Sequence, residues 1–109
     1  MPYIKEERRN DLDNCIDTLI KCIKNNMPKS NSQDRGISNE QLLNVCGDIN
    51  YCFSRILGSI MGNTTYPKIA IITGVLENVK QEFYRRVASP YEDLKIKQNG
   101  DIKEYKGLN

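Results

Sequence analysis

Tyr84, Arg85 and Arg86 fall within one helical turn, shortly before a proline at position 90. A guanidinium grips paired oxygens and a phenol ring stacks on a planar base, so this triplet suits a phosphate that carries a purine. Glu82 stands four residues before Arg86, the spacing of an intrahelical ion pair, which assigns Arg86 to neutralisation and leaves Arg85 for a ligand. The plainer reading is that both arginines only complement the helix dipole and solvate a helix end. A second chemistry would gather Glu77, Glu82, Glu92 and Asp93 around magnesium for nucleotide hydrolysis. The EExxE-type cluster that such a site wants is absent from the second helix, whose body holds the single acid Asp48. There is no GxSxG, P-loop or GxGxxG, and without a histidine no serine has its usual activating base. The sequence therefore points to a binding protein rather than an enzyme, with no cofactor and no metal.

The elements that position these residues are helical. From Tyr66 to Ser89 the apolar residues Ile69, Ile72, Leu76, Val79, Phe83 and Val87 step by three and four, which lays them along one seam. Pro90 disfavours helical geometry in its predecessor, so this helix is expected to stop at residue 89. Pro90 then suits the first turn of a short helix over 90–98, with Asn99-Gly100 as its stop and an extended tail beyond. A hairpin on Asn99-Gly100, pairing Leu94 to Lys97 with Ile102 to Tyr105, is the alternative.

Upstream, Pro2, Tyr3 and Ile4 read as an extended lead-in. Leu12, Ile16, Leu19 and Ile23 predict a helix over 6–25, with Glu6 and Glu7 in its first turn and Lys21 and Lys24 near its last. The polar tract 25–37 is a loop, either a solvated connector or a lid that closes on a ligand through Lys29 or Arg35. Ser38 and Gln41 form a capping box that opens a helix over 39–61. Its apolar face includes Leu42, Val45, Ile49, Cys52, Phe53, Ile56 and Ile60. Gly47, Tyr51, Ser54 and Gly58 make a second stripe. Interior glycines cost about 1 kcal/mol each relative to alanine, so close approach of another backbone is expected there. The short turn 62–65 predicts that helices 39–61 and 66–89 form an antiparallel hairpin. Asn50, Tyr51 and Arg55 are polar groups on an otherwise apolar helix and join Tyr91 as supporting site residues.

Composition sets the outer bounds. A chain of 109 residues, 39% hydrophobic and 28% charged, is one soluble helical domain over 1–109 that oligomerisation would help to stabilise. No stretch approaches the roughly 18 apolar residues of a membrane helix, and MPYIKEERR lacks the apolar region of a secretory signal, so a cytoplasmic location is expected. Sixteen basic against 14 acidic residues give a net charge of +2, too balanced for a coat on duplex nucleic acid. Cys15, Cys22, Cys46 and Cys52 form no CxxC pair and sit among apolar helix positions; buried, reduced thiols are expected, and a bridge from Cys15 to Cys46 or Cys52 is the alternative.

MPYIKEERR, GDINY at 47–51 and GVLENVKQEFYRRVASPYEDLKIKQNGD at 74–101 together resemble a family of small, mostly uncharacterised proteins common in phages and prophages. Within the last block, Glu77, Arg85, Val87 and Pro90 are similar in spacing to the C-terminal hairpin helix of phage nucleotide sponges that counter CBASS and Thoeris immunity. That similarity implies a helical homo-oligomer that sequesters cyclic nucleotides or cyclic ADP-ribose isomers without cleaving them, in the cytoplasm of an infected host. It also implies Arg85 near a ligand phosphate and Glu77 as an orienting residue. Here Val75-Leu76 replaces the polar pair that precedes the glutamate in the sponges, and a PYED segment follows. The other readings are a non-catalytic module that docks a host protein, and the metal-dependent hydrolase.

Overall fold

A computed structural model describes residues 2–29 and 36–108. The secondary structure of the described residues is all-α: α1 Glu6–Asn25, α2 Asn39–Met61, α3 Tyr66–Phe83 and α4 Ser89–Asn99, with a π-turn over Tyr84–Ala88 between α3 and α4. They fall into two compact units, one of residues 3–65 and one of residues 1–2 with 66–109.

In the first unit α1 packs against α2. The capping box forms as expected: the Gln41 N–H donates to the Ser38 hydroxyl at 3.2 Å and the Ser38 N–H donates to the Gln41 side chain at 2.9 Å. These bonds satisfy helix-end donors that would otherwise be orphaned. The Gln41 amide also donates to the Pro28 carbonyl at 2.9 Å, and Asn26 donates to the Asp48 carboxylate at 3.0 Å, tying the end of α1 to α2. Val45 lies between them and is fully buried, the one described residue that is. Leu19 and Ile23 of α1 and Ile49 and Cys52 of α2 are half-buried. Arg9 donates to the Ile4 carbonyl at 2.7 Å and pins the extended lead-in to α1.

In the second unit the chain does not stop at Ser89. Phe83, Ala88 and Ser89 all keep right-handed helical angles, so α3, the π-turn and α4 make one rod from Tyr66 to Asn99. Proline lacks an N–H and its ring crowds the carbonyl four residues back, which breaks a regular helix. Here the turn before Pro90 widens, and the Ser89 N–H donates to Tyr84, five residues earlier. This i→i+5 bonding makes room for the proline without ending the helix. The rod stops where expected: Gly100 adopts φ 86° and its N–H donates to the Ile96 carbonyl at 2.8 Å. The expected helix over 90–98 thus forms, and the alternative hairpin on Asn99-Gly100 does not. The tail is turn-like rather than extended, with the Tyr105 and Lys106 N–H groups both donating to Ile102.

The expected hairpin of helices 39–61 and 66–89 runs from one unit into the other. Other expectations need correction. Cys15, Cys22 and Cys46 are exposed, Cys52 is half-buried, and all four are free thiols. Periodicity placed them near apolar rows, but the contact between α1 and α2 covers only the few side chains around Val45. No atom lies within 4 Å of a Cβ built on Gly47 or Gly58, so the glycine stripe meets no close neighbour among the described residues. Most of the 25–37 loop, Arg35 included, lies outside the described residues, and Lys29 is exposed.

Candidate functional site

The helical rod carries its polar residues at steps of three and four on the side away from the seam. Glu77, Asn78, Lys80, Gln81, Glu82, Tyr84 and Arg85, with Pro2, line an open cleft of about 680 Å³. Two carboxylates organise it. Glu77 accepts from the Gln81 amide at 3.3 Å and lies 3.9 Å from the Lys80 ammonium. Glu82 takes both nitrogens of the Arg85 fork, Nη2 at 2.6 Å and Nε at 3.4 Å, and its side chain is only 18% exposed against 63% for Arg85. The formal charges of these four ionisable groups cancel, so an incoming oxyanion competes with Glu77 and Glu82 for the ammonium and guanidinium hydrogens.

Tyr84 stands at the edge of the cleft. Its hydroxyl donates to both carboxylate oxygens of Glu92, at 2.9 and 3.1 Å, across the π-turn. The hydrogen bond to Glu92, helped by that carboxylate's charge, pushes the phenol above its usual range. Tyr84 is therefore a neutral, oriented ring at pH 7, fitted to stacking and not to accepting a proton.

The two arginines exchange the roles expected of them. Arg85 is the one paired with Glu82, at i,i+3, while Arg86 makes no hydrogen bond or ion pair with a described residue and lies outside the cleft lining. Both spacings bring side chains together on a helix, so spacing alone did not separate them. Tyr91 is also outside the cleft lining, and it stacks beneath the Lys95 ammonium at 5.5 Å.

Asn50, Tyr51 and Arg55 belong to α2 and make their own cluster. Arg55 donates to the Tyr51 hydroxyl at 3.2 Å with its guanidinium 5.9 Å from the ring centre, and Ser54 donates to the Asn50 side chain at 3.4 Å. The hydrogen bond to Tyr51 raises the Arg55 pKa.

Asn78, Lys80 and Gln81 line the cleft although they were not among the expected site residues. The signal available was their spacing from Glu77 and Arg85; neutral amides on a helix otherwise read as a solvated face. No three His, Cys, Asp or Glu side chains gather as a metal site among the described residues, which separates the carboxylates of the magnesium reading. No described helix is long and apolar enough to cross a membrane.

The described residues form an all-α fold. The chain belongs to the family described as Domain of unknown function (DUF6899), which matches residues 1–102. No curated protein and no solved structure matches it.

Proposed function

We propose that this protein binds a small nucleotide in the cleft between Glu77 and Arg85 and sequesters it without cleaving it. The observation that supports the reading is the set of donors from Asn78, Lys80, Gln81 and Arg85 beside the oriented ring of Tyr84. A phosphate displaces Glu82 from the Arg85 fork while a base stacks on Tyr84. The resemblance to phage nucleotide sponges gives the ligand class, cyclic oligonucleotides or cyclic ADP-ribose isomers, and the biological role, suppression of a nucleotide-signalled defence in the host cytoplasm. Arg86, on the same helix but outside the cleft lining, is a secondary contact in this reading.

The test is a thermal-shift screen of the purified chain against cyclic di- and trinucleotides and cyclic ADP-ribose isomers, with chromatography of the released ligand. At a hundredfold excess over Kd, binding stabilises the fold by about 2.7 kcal/mol, a shift of several degrees for a domain of this size. A shift with intact ligand recovered, lost in Arg85→Ala, supports sequestration. Cleaved ligand would move the assignment to a hydrolase, and no shift across the panel would overturn it.

A second reading, a non-catalytic protein-docking module, is favoured by one observation. Apolar side chains such as Leu43, Ile60, Ile71 and Phe83 are each more than 60% exposed, far beyond what a solvated helix needs.

A further inference from the structure

The rod from Tyr66 to Asn99 carries eight apolar residues in one row: Ile69, Ile72, Leu76, Val79, Phe83, Val87, Tyr91 and Leu94. Seven of them are between 45% and 64% exposed and Ile72 is half-buried. Their spacing is the alternating three and four of a heptad seam, with a single departure, the step of four from Phe83 to Val87. That step falls on the π-turn Tyr84–Ala88, whose wider coil takes up about one extra residue. With the extra residue absorbed, the seam reads 3-4-3-4-3-4-3, the same from either end.

A row that is its own mirror in spacing is complementary to a second copy running the other way. We propose that two copies of this chain pair through their rods, antiparallel about a two-fold axis near Gln81. In this register Ile69 meets Leu94 of the other copy, Ile72 meets Tyr91, Leu76 meets Val87 and Val79 meets Phe83, so every seam residue finds a seam residue. Such a contact is isologous and closed, as two-fold interfaces are. The charged residues nearest the axis are already neutralised within their own helix: Lys80 by Glu77 at 3.9 Å and Glu82 by Arg85 at 2.6 Å. The area is sufficient as well. At roughly 60 Å² of apolar surface for each half-exposed side chain, the two rows bury on the order of 1,000 Å², the threshold for a biological interface. The clefts lie on the side of each rod away from the seam, so a pair carries two separate ones.

The register is tested by cross-linking. Cys15, Cys22, Cys46 and Cys52 are replaced by alanine, and Ile69→Cys and Leu94→Cys are introduced together. Positions 69 and 94 stand about 37 Å apart along one rod, beyond the reach of any disulfide within it. Oxidation is expected to give a covalent dimer whose peptide map shows only 69-to-94 linkages. Links of 69 to 69 and 94 to 94 would overturn the antiparallel register. The natural chain provides the second measurement: sedimentation equilibrium should give twice the 12.5 kDa chain mass, and Phe83→Asp should weaken association by about thirtyfold or more. A single-chain mass at all concentrations, with the seam covered by the chain's own helices, would overturn the proposal.

Discussion

The α1–α2 unit and the α3–α4 rod solve the same problem with different means. The first buries Val45 completely and fastens its helices with side-chain hydrogen bonds from Asn26 and Gln41. The second consists of one helix interrupted by a π-turn, and none of its described residues is fully buried. A helix gains most of its stability from packing an apolar face, and α3 has an ample one, so its account is incomplete until something covers that face. The lesson is that periodicity reports which face wants to pack, whereas only geometry reports whether it has done so.

Four perturbations set the two regions apart, and the most damaging comes first. Val45→Ala should destabilise the α1–α2 unit by about 2 kcal/mol, because it removes packed methyl groups and leaves a cavity; urea unfolding followed by circular dichroism measures it, and the loss should not depend on protein concentration. Ser38→Ala removes half of the capping box and should cost about 1 kcal/mol in the same assay, whereas Ser38→Thr should recover most of it.

On the rod, Glu82→Gln releases the Arg85 fork from its carboxylate. Titration calorimetry should show tighter binding of a nucleotide phosphate, by on the order of threefold to tenfold, if the exchange between Glu82 and ligand governs affinity. Weaker binding would mean that Glu82 orients Arg85 instead of competing for it. The smallest effect is at Tyr84. Its pKa is raised in the fold by Glu92, so this interaction favours the fold while the phenol keeps its proton and fades as pH rises through the raised value. Following tyrosinate absorbance in alkali, Glu92→Gln should bring one tyrosine's ionisation back to lower pH, with a small loss of stability at neutral pH that fades in alkali.

Much of the fold was legible in the sequence. The Ser38/Gln41 box and the periodic apolar rows fixed α1 and α2 to the residue, because caps and periodicity are local signals. The rod was misread at Pro90, since the rule that ends a helix before proline takes no account of a π-turn that makes room for the ring. The hairpin of α2 and α3 was inferred from a short connection and runs from one unit into the other. Cys15 and Cys22 were read as buried because they neighbour Ile16 and Ile23, although adjacency in a row cannot say what lies above it. At the site, Tyr84 and Arg85 stood out by charge and proximity. Asn78 and Gln81 did not, because an amide gains its meaning from what its neighbours three and four residues away present.

If two copies pair through their rods, the rod, unlike the α1–α2 unit, draws its stability from a partner. Thermal unfolding of the full chain over a hundredfold range of protein concentration tests it most directly, because folding coupled to self-association makes the midpoint depend on concentration. The account predicts a midpoint that climbs steadily with concentration, and a midpoint that stays constant across the range would contradict it.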